Sequence, residues 1–263
     1  MAKPLRLDSE LVRRGLAASR GEAKRLIEQG AVTVRGLPAT RPTTLVAPEA
    51  RIAVDDRGDR YASRGGDKLD SALRRLPIAV EGRLWLDAGS STGGFTDRLL
   101  RGGARAVAAV DVGYGQLAWH LRRDPRVVVL ERTNARRLAP TDLPWAPEGV
   151  VADLSFISLR LVLPALAAIA RPDADLLPLV KPQFEVGRAR VPKGGVVRDP
   201  ALWREALVAV AEAAEGLGLA VVDALPAEPP GPAGNREFFL HLRRDARPGR
   251  SEAIERAVAE AAR

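Results

Sequence analysis

Apolar and polar positions fall into two regimes along the chain. From about residue 83 onward, short apolar runs at 84–87, 106–111, 127–130, 150–153, 176–180, 219–222 and 238–242 read as buried strands. Between them, stretches at 95–101, 116–122, 159–169 and 201–217 read as helices. This alternation predicts an α/β fold, a doubly wound, mostly parallel sheet with helices on both faces. Ligands of such sheets bind at the carboxyl ends of strands, so the residues that close each apolar run are where chemistry is expected. Near the end, Ile254, Ala257, Val258 and Ala261 recur at helical spacing, and 251–262 reads as a helix docked on this domain.

Ahead of residue 55 the periods are shorter. Asp8 or Ser9 can cap a helix over 10–14 that Gly15 ends in a left-handed conformation. Ser19 and Glu22 have the spacing of a capping box for a second helix, with Ala23, Leu26 and Ile27 as its apolar stripe and Gly30 as its stop. Residues 31–34 alternate like a strand, Arg35 and Gly36 read as a turn, and 45–54 supplies further short strands. The charged, Gly-containing stretch 55–60 has no apolar period and reads as a connector. The expected division is a small α+β domain over 1–58, a linker over 59–64 and a larger domain over 65–263.

Composition narrows the classes. A chain of 263 residues, 46% hydrophobic, has enough apolar material for a sizeable core, so disorder is not expected. The net charge of +8 is unevenly placed: residues 1–41 hold 9 Lys or Arg against 4 Asp or Glu, which makes this stretch the candidate contact for a polyanion. With no Cys and two His, disulfide frameworks, thiolate catalysis and the usual zinc clusters are excluded or disfavoured, and no metal is expected. The opening residues lack the pattern of a secretory signal, and the longest apolar run, 161–170, is interrupted by Pro164 and too short for a bilayer. A cytoplasmic protein with no membrane partner is expected.

Two short helices joined by a Ser-Arg step and followed by a small twisted sheet resemble the S4 RNA-binding domain over about residues 5–55. The resemblance implies RNA binding through a basic face. Arg20, Lys24 and Arg25 on the second helix, with Arg6, Arg13 and Arg14 near the first, are the candidates to neutralise phosphates.

The most informative segment of the larger domain is Asp87-Ala88-Gly89-Ser90-Ser91-Thr92-Gly93-Gly94-Phe95. An apolar strand ends in an acid, small residues let backbone approach a ligand, and a helix opens. A second strand ends in Asp111, about 20 residues on, where an acid accepts hydrogen bonds from ribose hydroxyls. The loop has neither the G-x-G-x-x-G fingerprint of dinucleotide folds nor the Lys of a P-loop, so a nucleoside ligand without phosphate fits better, and S-adenosylmethionine is favoured. Asp87 would meet its amino group, with Gly89, Ser91, Thr92, Gly93, Gly94 and Phe95 around the amino-acid portion. Asp111 would hold the ribose, and Asn134 and Asp153, at later strand ends, would reach the adenine or the methionine side.

Four ionisable residues stand beside apolar strands or tight turns: Lys68, Asp153, Lys181 and Glu237. With the cofactor loop they resemble the Lys-Asp-Lys-Glu tetrad of FtsJ-type RNA 2′-O-methyltransferases. The segments Asp87 to Thr96, Asp111 to Leu117, Glu131 to Asn134, Asp153 to Ser158 and Val180 to Gly187 resemble, more closely, the TlyA family. That resemblance covers most of the chain. It implies a class I methyltransferase fold behind an S4 domain and methylation of cytidine 2′-hydroxyls in small- and large-subunit ribosomal RNA, within ribosomal subunits. Members are also labelled haemolysins.

A ribose hydroxyl is a poor nucleophile at neutral pH, so attack on a sulfonium methyl benefits from a group that receives or orients its proton; Lys181 is the candidate, with Asp153 and Glu237 orienting the lysines and substrate. Two departures stand out. Some relatives carry Ala-His before the first lysine, where this chain has Gly66-Asp67; some carry Arg-Ala-Trp-Val in the linker, where this chain reads Asp59-Arg60-Tyr61-Ala62. His120, His241 and the scattered Trp85, Trp119, Trp145 and Trp203 read as structural. Two other classes compete with the enzyme, a noncatalytic ribosomal RNA-binding or assembly factor and a haemolysin.

Overall fold

The computed structural model describes residues 4–28, 31–54, 61–244 and 250–263. Gly30, expected to end a helix, and the connector at 55–60 lie outside the described residues. Contacts group the chain into two compact units, Met1–Tyr61 with Leu117–Asp124, and Ala62–Gln116 with Pro125–Arg263.

The first unit contains β1 (Leu5–Arg6), α1 (Leu7–Arg13), α2 (Arg20–Glu28), β2 (Val32–Val34), β3 (Leu37–Pro38), β4 (Leu45–Val46) and β5 (Ile52–Val54). Helix α1 begins earlier than its polar residues suggest. Arg6 occupies the cap position without a side-chain cap, while Asp8 lies in the first turn, accepting from the Arg6 guanidinium and the Ser9 amide. An acid there also faces the positive end of the helix dipole. Gly15 follows with φ +66°, as a left-handed terminator does. Half of the capping box forms: Ser19 Oγ accepts from Glu22 N at 3.2 Å. The Glu22 carboxylate instead takes the amides of Ala18 and Trp119, at 2.7 and 2.9 Å. Arg35 and Gly36, with φ of 53° and 81°, make the two-residue turn that joins β2 to β3 in a hairpin whose twist suits left-handed residues. Leu7, Leu11, Ala23, Leu26, Ile27 and Val32 form the centre of this unit's core.

The remaining elements are α3 (Arg64–Arg75), β6 (Leu84–Ala88), α4 (Gly94–Arg101), β7 (Ala106–Val110), α5 (Trp119–Arg122), β8 (Val127–Leu130), β9 (Gly149–Ala152), α6 (Leu163–Ile169), β10 (Asp175–Val180), α7 (Pro182–Glu185), α8 (Pro200–Glu215), β11 (Ala220–Pro226), β12 (Phe238–Arg243) and α9 (Arg250–Ala261). Of these, α5 groups with the first unit, and the helix expected over 116–122 starts only at Trp119. The helix expected over 159–169 is divided into a 3-10 turn at Leu159–Leu161 and α6, because Pro164 has no amide to donate and is tolerated only in a helix's first turn.

Among the described residues, seven strands form one sheet in the order β11-β12-β10-β9-β6-β7-β8. The five from β10 to β8 are joined by parallel pairing, and β12 runs antiparallel to both β10 and β11, so that β11 shares the direction of the five and β12 opposes it. The doubly wound, mostly parallel sheet expected from the strand-helix alternation is therefore present. Side chains alternate between two buried faces. Leu86, Ala88, Ala108, Val110, Val150 and Ala152 share a core with α6 and α8. The intervening residues point the other way, where Asp87 meets Thr96 of α4 and Phe239 meets Phe95. Helix α9 buries Ile254, Ala257, Val258 and Ala261, and packs on β11 and α8. Chain order reverses at β6, which lies between β7 and β9, so the carboxyl ends of β6 and β9 bound the crevice where such sheets bind ligands.

Candidate active site

Strand β6 ends in Asp87 and Ala88, and the chain then turns through Gly89 to Gly93 into α4. Asp87 is fully buried. Its Oδ2 accepts from the amide and the hydroxyl of Thr96, at 2.9 and 2.7 Å, while Oδ1 is buried with no partner. Burial pushes this carboxyl up to about 7; the Thr96 hydrogen bonds oppose the shift, and the nearby negative charge of Asp153 adds to it. Gly89 has φ +88°, and a Cβ there would meet the Asp153 carbonyl more closely than real side chains allow. At Gly94 a Cβ would collide with Ser63 Oγ. The two glycines thus let the turn pack directly against the Asp153 carbonyl and the start of α3, and Asp87 keeps one acidic oxygen unsatisfied.

Asp111 closes β7 and uses both carboxylate oxygens on backbone, accepting from Ser91 N at 2.8 Å and Gly113 N at 2.7 Å. It fixes Ser91, which has φ +48°. Asn134 is exposed and its side chain accepts from Arg136 N as the cap of a 3-10 turn. Neither Asp111 nor Asn134 lines the cavity described next, and neither does Gly93.

The cavity has a volume of about 370 Å³ and is lined by Asp87, Gly89, Ser91, Thr92, Gly94 and Phe95 on one side, with Lys68, Asp153, Lys181 and Glu237 completing the wall. The four ionisable residues meet as two ion pairs. Lys68 Nζ donates to Glu237 Oε2 at 2.6 Å, with side chains 6% and 3% exposed. Lys181 Nζ stands 2.6 Å from Asp153 Oδ1 and donates to Ser155 Oγ at 3.0 Å.

Local structure explains each placement. Ser63 caps α3 by accepting from Gly65 N at 3.3 Å, and Lys68, at the start of that helix's second turn, is buried on its inner face. Asp153 follows β9, and its amide donates to Ala88 O at 3.0 Å, which ties the two central strand ends together. Lys181 follows β10, and Pro182 opens α7 directly behind it. Glu237 precedes β12, and its carbonyl accepts from Ala227 N at 2.8 Å, closing the loop from β11.

Ser155, Ser63, Arg64 and Pro232 also line the cavity and were not singled out from sequence. Ser155 stands two residues beyond the strand-end acid, a position that the rule for strand carboxyl ends already marks. His120 and His241 lie off the cavity, and among the described residues no group of three His, Cys, Asp or Glu could hold a metal ion.

In the first unit, Arg6 binds Asp8, Arg13 binds Glu10 in a two-pronged contact, and Arg20 reaches Asp8 at 3.3 Å. Lys24 stands 3.7 Å from Glu28. Arg14 differs from these: its three nitrogens bond Glu10, Ala50 O and Pro48 O, at 2.6 to 2.7 Å, which staples α1 to the strand side of the unit. Arg25 is exposed with no partner among the described residues.

Comparison with known proteins fits both units. Residues 61–244 match the FtsJ-like methyltransferase family and residues 5–52 match the S4 domain. A 16S/23S rRNA (cytidine-2′-O)-methyltransferase, TlyA of Mycobacterium tuberculosis, is 53% identical over 266 residues, covering 99% of each chain. A 23S rRNA (cytidine-2′-O)-methyltransferase, TlyA of Campylobacter jejuni, is 30% identical, covering 88% of this chain and 96% of its own. A solved structure from Streptococcus thermophilus, named as a hemolysin, superposes with a TM-score of 0.74 at 37% identity, covering 99% of this chain and 96% of that one. With its S4 domain and its FtsJ-like domain on the sheet of class I methyltransferases, the chain belongs to the TlyA family.

Proposed function

We propose that this protein methylates the 2′-hydroxyl of cytidine in ribosomal RNA within ribosomal subunits, using S-adenosylmethionine, in the cytoplasm. The observation that carries the reading is the convergence of Lys68, Asp153, Lys181 and Glu237, far apart in sequence, on one cavity walled by the loop from Asp87 to Phe95. Family membership with rRNA (cytidine-2′-O)-methyltransferases supplies the substrate.

The donor set suits the cofactor. An unpartnered buried carboxylate oxygen on Asp87 matches a ligand carrying an ammonium group, and Gly89 and Gly94, packed tightly against Asp153 and Ser63, line the cavity with backbone beside it. Ser91, Thr92 and Phe95 complete that side, with Gly93 in the turn behind them; Asp111 is assigned to the ribose, and Asn134 and Asp153 to the adenine or the methionine side. When bound, S-adenosylmethionine supplies a methyl group on a positively charged sulfonium.

The chain's own residues then align the acceptor. Lys181, held between Asp153 and Ser155, orients the ribose hydroxyl as an ammonium, or as the free amine takes the proton that leaves that hydroxyl as its oxygen bonds to carbon. Lys68 and Glu237 fix the opposite wall through their ion pair. Since no covalent enzyme intermediate is needed, much of the acceleration comes from holding two reactants in line. The exposed cations Arg6, Arg13, Arg20, Lys24 and Arg25 of the S4 unit bind RNA phosphate, whereas Arg14 is assigned a structural part.

The test is mass-spectrometric mapping of ribose methylation in ribosomal subunits incubated with the purified protein and cofactor, beside a Lys181→Ala sample. New 2′-O-methylcytidine is expected with the native chain only. Unmodified RNA from cofactor-loaded native protein overturns the proposal.

A further inference from the structure

Asp153 and Ser155, the two partners of Lys181, sit on a segment that leaves β9 and has no regular structure until the 3-10 turn at Leu159–Leu161. Phe156, in the middle of it, has φ +64°, a conformation unfavourable for a bulky residue, and the residue is 92% exposed. Such a segment holds its shape only if something fastens its far end. Glu185, at the end of α7, does so.

The Glu185 side chain is 1% exposed. One oxygen accepts from Ser158 Oγ at 2.6 Å and the other from Leu159 N at 2.7 Å, while Arg160 Nε stands 3.4 Å away. Lys181 and Glu185 bracket α7, so one short helix grips the segment at both ends: Lys181 holds Asp153 and Ser155, and Glu185 holds Ser158 and Leu159. Between them, the Phe184 ring lies 5.3 Å from that of Phe156. A carboxylate is suited to this task, because an ionised acid accepts from two converging donors and has none of its own to misplace.

We propose that Glu185 is a positioning residue for methyl transfer: by clamping Ser158 and Leu159 it sets the Asp153–Ser155 segment at the distance from Lys181 that the reaction needs. The role rests on the methyl-transfer reading above, and the experiment separates the two. In the full-length protein, Glu185→Ala, Glu185→Gln and Ser158→Ala are compared by the rate at which a water-soluble acylating reagent labels Lys181, with exposed Lys193 as internal standard. Cofactor Kd, and kcat and KM on ribosomal subunits, are measured in parallel.

Loosening the clamp frees Lys181. Its labelling rises about tenfold in Glu185→Ala and less in Ser158→Ala, while kcat falls about tenfold with KM and cofactor Kd held within about twofold. Glu185→Gln, which keeps one acceptor for Leu159 N and lets the Ser158 hydroxyl reorient, restores most of both. If Glu185→Ala fails to fold, Ser158→Ala removes a single bond and carries the same test. Native Lys181 reactivity together with native kcat in a folded clamp variant overturns the proposal, as does a kcat loss matched by an equal weakening of cofactor binding. If the native protein transfers no methyl group, the functional reading falls, and the Lys181 labelling alone decides whether the clamp exists.

Discussion

Lys68 and Glu237, 169 positions apart, form a 2.6 Å ion pair with both side chains nearly excluded from water. Removing one partner strands the other charge in a medium that solvates it poorly, whereas removing both leaves only a volume change. Lys68→Met or Glu237→Leu alone is expected to cost about 3 kcal/mol of stability, and the double variant considerably less than the sum. Methyl transfer stays lost in all three. Denaturant unfolding of the four proteins checks the cycle, and strictly additive losses would show that the pair does not act as a unit.

Asp87 supplies a pH dependence. With burial pushing its carboxyl up to about 7, the folded protein holds a proton there that the unfolded chain releases near pH 4. Stability therefore falls as pH rises between those values. Below the unfolded value both states are neutral and the group has no effect; above pH 7 the penalty is constant, of order 4 kcal/mol at most. Asp87→Asn keeps an acceptor for Thr96 and cannot ionise, so it is expected to be more stable than the native protein at pH 8 and equal to it near pH 4. Its cofactor affinity falls, because the unsatisfied anionic oxygen is gone. Unfolding curves at the two pH values settle the first point and calorimetric titration the second; a native–variant difference that does not change with pH would refute the linkage.

Asp175, at the opposite end of β10 from Lys181, shows the reverse sign. Burial favours its neutral form, but hydrogen bonds from His241 and Arg83 outweigh that and lower its pKa. A lowered acid contributes stability above its unfolded value and loses it as pH falls toward its folded one. Asp175→Asn should cost about 3 kcal/mol at pH 7 and progressively less below pH 4. Since Lys181 follows the other end of the strand, kcat at pH 7 and 25 °C should remain native. A large fall in kcat without loss of fold would mean that the two strand ends are coupled.

The chemistry was legible wherever topology concentrates it. Asp87, Asp111 and Asp153 all end parallel strands, and an apolar run closed by an acid is visible without coordinates. Helix α3 was hidden because Gly65 and Gly66 weaken a helix signal in its first turn, so Lys68 read as part of a tight turn. Ser63 as cap and the stripe Leu69, Ala72, Leu73, Leu76 were the overlooked signals. Glu22 shows a different limit. Its spacing to Ser19 announced a capping box, but its carboxylate went to Ala18 and Trp119, and an amide 97 positions away cannot be read from local spacing. Glu185 lies in a segment that carries the family resemblance, yet its bonds to Ser158 and Leu159 join residues 26 and 27 positions apart and escape local spacing for the same reason.

Arginines of the S4 unit look alike in sequence and divide by geometry. Arg14 is 22% exposed at its side chain with all three nitrogens bonded inside the unit, while Arg25 is exposed and has no partner among the described residues. Each phosphate contact releases about one counterion, so it appears in the slope of log affinity against log salt concentration. In the full-length protein, Arg25→Ala is expected to lower that slope on ribosomal RNA by about 1 and leave stability within about 0.5 kcal/mol. Arg14→Ala should leave the slope of the folded protein unchanged and destabilise the unit by about 2 kcal/mol, since Glu10 and two carbonyls lose a shared donor. Salt titrations of binding beside thermal unfolding check both. Equal slope changes in the two variants would mean that Arg14 also reaches phosphate, and that its bonds to Pro48 and Ala50 yield when RNA binds.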